Sequence, residues 1–451
     1  MARRYPKSSG SLASAPRRGG TSLLLLVILV PVLFGLMGFA VDLGRLYLVR
    51  GELHQAASAM ALAAAGQLIG TDASLGNATT AASQTLDDTN KLGNKYNFGS
   101  LTLGQSNGNL SNVIDPPGYF ATVAAAIGTD LGASQADGAT ARHVHISLTA
   151  EAPLLFWSIL TLGQSRKTSI AAVAVAGISA PLCTACGIEP FAVAALDPND
   201  TVNFGFGDPT AGNNYTFAYA CNGLPGPVPI SGGGNVVSYA ILNRYDAGNA
   251  TLDETQQLFR TGAQGLLGST NPNPTGSPVP MGCVGINDPS ETIWVSATPG
   301  ACSVLPNPSM VQALCGLYSR MDRSNPPNAC GVVTDYANLA TAYVPDSDIA
   351  TNSTSVYTSY TGNGRRIVTV PIVAGLSTPF TGPLTVLGFR QFVLEPAADG
   401  TFFNPGDTNG RFPVQYIGSP APVRSGYIDD RFGLSCPAPV VGGPGKVVLH
   451  R

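Results

Sequence analysis

Charged side chains are scarce in this chain of 451 residues, in which Asp, Glu, Lys and Arg together make up 11%. The formal net charge is −3, so the composition offers no basic surface of the kind that binds nucleic acid, and no nucleic acid partner is predicted. The shortage of charge does not indicate disorder, because 44% of the residues are hydrophobic and can build a core. The 53 glycines and 35 prolines favour short strands and turns over long soluble helices.

Motifs of catalysis and cofactor binding are also missing. The chain contains no G-x-S-x-G nucleophile elbow, no H-E-x-x-H zinc helix and no G-x-x-x-x-G-K-[ST] phosphate loop. His143 and His145 would share one face of a strand, as metal ligands can, but no third ligand is evident near them, so we interpret them as surface residues. Asp346 and Asp348 lack the further ligands of a calcium loop. The sequence therefore predicts no catalytic, cofactor or metal residue, and no enzyme.

Cysteine is absent from the first 182 residues, and all eight cysteines lie in the remainder of the chain. An even number confined to one part of a chain predicts disulfides in an oxidising compartment, although sequence does not choose their pairing. The Cys183-Thr-Ala-Cys186 motif has a redox or zinc alternative, but a zinc site needs a second ligand pair at short spacing, and none is present. The disulfide candidates are Cys183, Cys186, Cys221, Cys283, Cys302, Cys315, Cys330 and Cys436.

Residues 21–41 form a run without a single charge. As a helix this run would be about 32 Å long, enough to cross a bilayer core of about 30 Å. A cleaved signal peptide is the alternative, but its apolar region is shorter and ends at a small-x-small site, which is absent after Val41. We therefore predict a retained single-pass anchor, with residues 1–20 in the cytoplasm because lysine and arginine stay on that side. The basic residues that set this topology are Arg3, Arg4, Lys7, Arg17 and Arg18.

The helix is predicted to continue beyond the membrane through residues 42–70. Apolar residues recur there at helical spacing, and many are alanines, which favour helix and allow close packing. This stripe would bind a partner helix, with self-association as one form, or the chain's own outer domain. The predicted stripe comprises Leu43, Leu46, Tyr47, Leu53, Ala57, Met60, Ala61 and Ala64, and the opposite face Asp42, Arg45, Glu52 and Gln55.

The remaining chain is predicted to be strand-rich, which makes the fold class α+β with a long N-terminal helix. Residues 71–110 are expected to be a linker, residues 111–180 a small α/β unit, and residues 181–451 a disulfide-bearing domain outside the cytoplasm. A helix is expected at 119–128, strands at 143–150 and 169–179, and between them a short apolar segment at 153–162. The two strongest strands, 365–373 and 384–394, are predicted to pair as neighbours.

The N-terminal sequence resembles a known family. The stretch Arg17-Arg18-Gly19-Gly20, the apolar span with Pro31, and then GFAVDLGRLYLVRGELHQAASAMALAAA are similar to the N-terminal segment of TadG-like Flp/Tad pilus assembly proteins. The resemblance covers residues 17–66, and the strands of the later regions also resemble parts of these bacterial envelope proteins. It implies an anchor in the bacterial inner membrane, with the bulk of the chain periplasmic or extracellular. The implied function is structural, in pilus assembly or surface adhesion, with pilus or envelope proteins as partners and no cofactor.

Two departures from the family pattern keep alternatives open. Several relatives carry a von Willebrand-type domain with a D-x-S-x-S metal loop, which is absent here, so metal-dependent adhesion is not predicted. Type IV prepilins are cut after a glycine and then carry Glu at the fifth position, whereas cutting after Gly20 would place Leu25 there. This disfavours a major pilin. The alternatives are a minor pilin incorporated in the filament, and an anchored extracytoplasmic enzyme or ligand-binding module.

Overall fold

The structure is a computed structural model. It describes residues 19–87, 113–114, 117–128, 135–154, 156, 166–186, 188–220, 228–231, 233–242, 256, 259–260, 283–287, 308–321, 328–330, 356–362, 364–376, 384–396, 403–423 and 443–450. A long N-terminal helix precedes a strand-rich region, and the fold is mixed α+β. The predicted fold class is confirmed.

Helix α1 (Gly19–Ala65) is continuous over 47 residues, with Pro31 inside it. Its two halves have different surroundings. From Leu23 to Val41 the large apolar side chains are exposed, whereas Leu53 and Met60 in the second half are buried together with most of the alanines. One helix thus extends from the apolar span into the following segment, as the sequence predicts.

The buried face of α1 differs from the predicted stripe at its beginning. The stripe was predicted to bind a partner helix or the outer domain, and its first residues, Leu43 and Tyr47, are 42% and 69% exposed. Asp42 was placed on the opposite, polar face, but it is only 7% exposed. That part of the prediction is wrong. The carboxylate of Asp42 accepts hydrogen bonds from the backbone of Phe156, and a buried polar group is tolerated when it is bonded in this way.

The second half of α1 packs on an antiparallel sheet. Strands β3 (His143–Leu154) and β4 (Arg166–Ile178) pair along their whole lengths. Alternate side chains face the helix, and on β4 these are small, so the helix can lie close to the sheet. The strands β1 (Val113–Ile114) and β2 (Gly118–Phe120) pair with β3. The residues facing α1 include Val144, Ile146, Leu148, Ala172, Ala174 and Ala176.

Two further helices complete this part of the molecule. Helix α2 (Ser74–Asp87) packs on α1 through Ala78 and Ala82, within the range expected to be a linker. Helix α3 (Val123–Ile127) begins only after Thr122, whose side chain accepts a hydrogen bond from the backbone of Ala125. The helix expected at 119–128 is therefore wrong in its first turn, because those residues pair with β3 as strand β2.

The second part of the molecule is a closed six-stranded barrel in the order β10-β11-β12-β7-β8-β6. The pairs β7/β8 and β10/β6 are parallel, and the other neighbouring pairs are antiparallel. The predicted pairing of the two strongest strands is confirmed by β10 and β11. The strands are β6 (Phe191–Ala194), β7 (Asn214–Tyr219), β8 (Asn235–Ile241), β10 (Ile367–Val373), β11 (Val386–Leu394) and β12 (Phe412–Gly418).

Aromatic rings fill the barrel. Phe217 lies 4.9 Å from Phe392 and 5.5 Å from Phe412 between ring centroids, in edge-to-face contacts. Helix α4 (Pro308–Tyr318) packs against this core through Met310 and Leu314.

Buried polar contacts tie α4 to the barrel. The guanidinium group of Arg320, just after α4, donates to both carboxylate oxygens of Glu189 at 2.8 Å. A second buried ion pair, between Arg366 and Glu395 at 3.3 Å, lies beside the paired strands β10 and β11 and does not involve α4. Cys315 of α4 is joined to Cys330 by a disulfide. The helix is therefore held by covalent, ionic and apolar contacts together.

The end of the chain returns to the first part of the molecule. Strand β13 (Val447–Leu449) pairs with β4 and extends the sheet that packs on α1, although the predicted boundary at residue 180 assigns it to the other region. A separate two-stranded sheet joins β5 (Thr184–Cys186) to β9 (Cys283–Gly285). We call α1–α3 with β1–β4 and β13 the helix–sheet unit, and the six-stranded barrel with α4 the barrel unit.

Candidate functional site

The first half of α1 presents a continuous row of exposed apolar side chains. The helix Leu23–Ala65 contains an 18-residue window with a mean hydropathy of 2.8, of which 6% is buried. Leu24, Phe34 and Met37 are each at least 60% exposed. A surface of this length without charge matches the hydrocarbon core of a bilayer, which takes about 20 apolar residues in a helix. The first half of α1 is a candidate membrane anchor.

The tip of the β3–β4 hairpin meets α1 where its apolar half ends. The backbone amide of Phe156 donates to the two carboxylate oxygens of Asp42 at 3.2 and 3.1 Å. The ring of Phe156 lies against Gly38, in the space that a Cβ atom there would occupy. Gly38 and Asp42 are four residues apart and thus share one face of the helix. We call Gly38, Asp42 and Phe156 the helix–tip junction.

A cavity of about 400 Å³ lies between the helix–sheet unit and the barrel unit. Arg142 and His143 line it from the sheet, and Arg390 and Tyr416 from the barrel. Arg142 donates to the carbonyl of Pro420, so this guanidinium group connects the two units. No carboxylate is among the described residues that line the cavity.

The cations of this cavity are bound to backbone carbonyls. Arg390 Nε donates to the carbonyl of Val202 at 3.0 Å, and its guanidinium carbon lies 4.7 Å from the ring centroid of Phe204. Burial lowers the pKa of Arg390 and of Arg142 below the ordinary value, as expected for cations removed from water. Burial also raises the pKa of Tyr416 to about 12, so its hydroxyl stays protonated. Arg142 thus joins the two units, while Arg390 holds the loop at Val202 against β11.

The carbonyl that Arg390 binds belongs to a tight turn built around Asp200. Its carboxylate accepts from the backbone amides of Val202, Asn203 and Gly205, each at 3.0 Å. These hydrogen bonds lower the pKa of Asp200, with the bond from Asn203 contributing most. Phe204 has a φ of 54°, a left-handed conformation that a residue other than glycine seldom adopts. The carboxylate stabilises the turn that receives the arginine.

The two histidines singled out in the sequence bind groups of their own unit. His145 Nδ1 lies 2.8 Å from the carbonyl oxygen of Ala126 in α3. His143 is 8% exposed, and its ring centroid lies 5.2 Å from that of His450. Burial lowers the pKa of His143, and the nearby His450 lowers it further. The expectation of a surface position is wrong for His143. The described residues contain no group of three His, Cys, Asp or Glu side chains that could hold a metal ion.

The predicted disulfide candidates are spread over several elements. Cys315 and Cys330 are bonded to each other, and Cys183 is also disulfide-bonded. The backbone register places Cys186 opposite Cys283 across β5 and β9. Three candidates lie outside the described residues, as do all five of the basic residues predicted to set the topology. These are Cys221, Cys302, Cys436, Arg3, Arg4, Lys7, Arg17 and Arg18.

Sequence reasoning missed the helix–tip junction and the arginines between the units. Gly38 lies in a run of apolar residues and carries no local sign of a ring packed against it. Arg142 and Arg390 reach their carbonyl partners across 278 and 188 residues of chain. One sequence signal for the junction was available. The segment that connects β3 and β4 is apolar, whereas turns are commonly polar.

One comparison with known proteins bears on these observations. The family model described as putative Flp pilus-assembly TadE/G-like matches residues 19–67, which comprise all of α1 and the two residues after it. Searches of curated proteins and of solved structures gave no significant match. The match coincides with the candidate anchor and the helix that continues it, and it supports a role related to pilus assembly. The resemblance predicted from the N-terminal sequence is thereby confirmed: this chain carries a TadE/G-like pilus-assembly segment.

Proposed function

We propose that the protein is a membrane-anchored structural component of Tad/Flp-type pilus assembly or surface adhesion. It acts through anchoring and protein–protein contacts, and it catalyses no reaction. The TadE/G-like segment gives the assembly context, and the exposed apolar half of α1 gives the means of attachment. The helix–sheet unit and the barrel unit form the body that the anchor holds at the membrane surface.

The observation that carries the proposal is the continuity of α1. The exposed apolar half and the half buried under the sheet are one helix of 47 residues. A helix whose second half is fixed in a packed core cannot turn freely relative to that core. The body is therefore presented at a defined height and angle above the bilayer, which is what an assembly component needs and a flexible tether would not give.

The proposed orientation rests on charge and on disulfide chemistry. Five basic residues precede the apolar span, and lysine and arginine are retained on the cytoplasmic side. The Cys315–Cys330 disulfide belongs to the body, and such bonds persist in oxidising compartments. We therefore place the N-terminus in the cytoplasm, the anchor in the bacterial inner membrane, and the body in the periplasm or outside the cell.

The exposed face of α1 beyond the apolar span is the surface proposed for a partner helix. Tyr47 and Leu48 are each 69% exposed, and Leu43 is 42% exposed, on the side of the helix that does not contact the sheet. Apolar side chains at this spacing suit the flank of another helix. The partner would be a pilus or envelope protein or a second copy of the chain.

An exchange of anchors tests the proposed function. Replacing residues 1–41 by a cleavable signal peptide exports the body without an anchor, and we expect pilus-dependent surface attachment to be lost. Replacing residues 21–37 by an unrelated apolar helical sequence of the same length, with Gly38 and Asp42 kept, should preserve attachment. Formation of the Cys315–Cys330 disulfide serves as the check that both variants fold. Full attachment with the released body would contradict the proposal.

Topology is tested separately by reporter fusions. A fusion after residue 70 should be active only with a reporter that folds outside the cytoplasm. Intact mass then distinguishes the remaining alternative: a chain that begins at Thr21 would indicate processing after Gly20 and a minor pilin, whereas an unprocessed chain agrees with a retained anchor.

A further inference from the structure

The tip of the β3–β4 hairpin is the feature that the proposed function leaves unexplained. Strands β3 and β4 remain paired from His143 and Gly177 at one end to Leu154 and Arg166 at the other. At about 3.4 Å per residue, this ladder extends over roughly 37 Å along the helix. Phe156, two residues beyond Leu154, contacts Gly38 in the apolar half of α1.

The depth of the tip is given by its contacts with α1. The Phe156 amide is bonded to Asp42, the first charged residue after the apolar span, and its ring lies on Gly38, inside that span. Four residues of helix separate the two contacts, a rise of about 6 Å. The Phe156 ring therefore lies about one helical turn from Asp42, on the side of the apolar span. The neighbouring apolar side chains of α1 are exposed there, Phe34 at 60% and Val41 at 61%.

The ring is only partly covered by the helix. Phe156 keeps an intermediate exposure although its ring contacts Gly38. The missing side chain at position 38 is what allows this close approach, because a Cβ atom there would overlap the ring. A partly exposed aromatic ring beside exposed apolar side chains extends the apolar surface of the first half of α1.

The sequence around Phe156 agrees with a lipid environment. The eleven positions between Leu154 and Arg166 carry no charge and read Leu-Phe-Trp-Ser-Ile-Leu-Thr-Leu-Gly-Gln-Ser. Hairpin connections in water are instead rich in glycine, asparagine and aspartate. The basic residues Arg166 and Lys167 follow at once, and tryptophan, lysine and arginine side chains serve as anchors at the level where a membrane meets water.

We propose that the hairpin tip at Phe156 enters the apolar edge of the bilayer that α1 spans, and that it forms a second contact between the protein body and lipid. This inference rests on the proposed function, because it requires α1 to be in the membrane. The two contacts lie side by side, so they resist tilting of the body about the point where the anchor leaves the bilayer. The ligand is the acyl region of the lipid, and no particular headgroup is required.

Photolabelling of the unaltered protein tests this inference. The full chain is reconstituted into vesicles of phosphatidylethanolamine and phosphatidylglycerol that contain a phosphatidylcholine with a diazirine on one acyl chain. After illumination, trypsin releases three cysteine-free peptides: residues 19–45 from the anchor, 143–166 with the hairpin tip, and 391–411 from the barrel. We expect the first two to be labelled well above the third.

The possible outcomes separate the two proposals. If peptide 143–166 is labelled no more than 391–411 while 19–45 is labelled strongly, the hairpin inference is overturned and the anchor stands. If 19–45 is not labelled above the barrel peptide, the anchor proposal itself fails, and the inference fails with it. Labelling of both 19–45 and 143–166 supports both.

A charged substitution locates the contact at Phe156. In Phe156→Asp, an ionised carboxylate would have to enter the hydrocarbon, which is costly. We expect labelling of 143–166 to fall several-fold while labelling of 19–45 is unchanged. Leu196→Asp, at an exposed apolar position of the barrel unit, is the matched control and should leave labelling as in the parent protein. Unchanged labelling of 143–166 in Phe156→Asp would overturn the assignment of the contact to this residue.

Discussion

The cores of the two units are built from different side chains. Between α1 and its sheet the packing residues are mainly alanines with some branched aliphatics, whereas the barrel is filled by phenylalanine and tyrosine. The helix has to lie close to two long strands over several turns, which small side chains permit. The barrel instead encloses a volume that six strands create, and rings fill it with few residues. Shape, more than hydrophobicity, thus decides which apolar residue each unit uses.

The largest effect is expected from emptying the barrel. Phe217→Ala removes a buried ring in contact with Phe392 and Phe412. Because the surrounding rings cannot close the cavity, we expect the free energy of unfolding to fall by about 3–5 kcal/mol. Denaturant unfolding in detergent, followed by circular dichroism, measures it. Val202→Ala, at a position 51% exposed, is the control and should change little.

A somewhat smaller loss is expected from the buried ion pair that ties α4 to the barrel. Glu189→Gln keeps the shape of the side chain but leaves the Arg320 cation without its countercharge, which costs about 3 kcal/mol. The same unfolding measurement applies, with Asp72→Asn at the surface as control. A loss no larger than that of the control would mean that Arg320 finds compensation elsewhere.

In the helix–sheet unit, adding volume to the core should destabilise the fold, in contrast to the barrel, where removing volume does. Ala174→Leu adds volume between β4 and α1, where Ala174 is completely buried, and overpacking of this kind costs about 1–3 kcal/mol. Ala171→Leu places the same side chain at an exposed position of the same strand. We expect the Ala171 variant to unfold like the parent protein. Equal losses for both variants would refute close packing of the helix as the reason for alanine.

The smallest effect concerns pH. Burial lowers the pKa of His143, so the unfolded state binds a proton more readily than the folded state. The stabilising contribution is therefore complete above the unfolded pKa of about 6.5 and is lost as pH falls through the folded pKa. Unfolding midpoints between neutral and mildly acidic pH should decline, and less so in His143→Gln. A decline of equal slope in both proteins would assign the pH dependence to other groups.

Patterns that act over a few residues predicted much of the fold. The charge-free span and the helical spacing after it gave α1, alternation of apolar residues gave β3, and the two strongest predicted strands, at 365–373 and 384–394, correspond to β10 and β11. Closure of the barrel was not predictable, because β7 and β8 pair in parallel and β10 lies beside β6, contacts that no local pattern specifies. The return of β13 to the first sheet depends on three residues whose partner lies far back in the chain.

The candidate site was likewise predictable from the sequence only in part. The anchor follows from composition and length alone, and the TadE/G-like match agrees with it. The helix–tip junction joins positions 114 residues apart, and the burial of Asp42 is explained only by the amide that reaches it. A charged residue at the end of an apolar span reads from sequence as solvent-facing, since water is its usual partner.

The claim that most needs testing is that α1 remains in the membrane as part of the protein. Membranes are washed with alkaline carbonate, and the intact mass of the chain is then measured in the pellet and in the supernatant. The account predicts an unprocessed chain in the pellet alone. A chain in the supernatant that begins beyond Asp42 would contradict it, because the body would then have been released from a segment that served only for export.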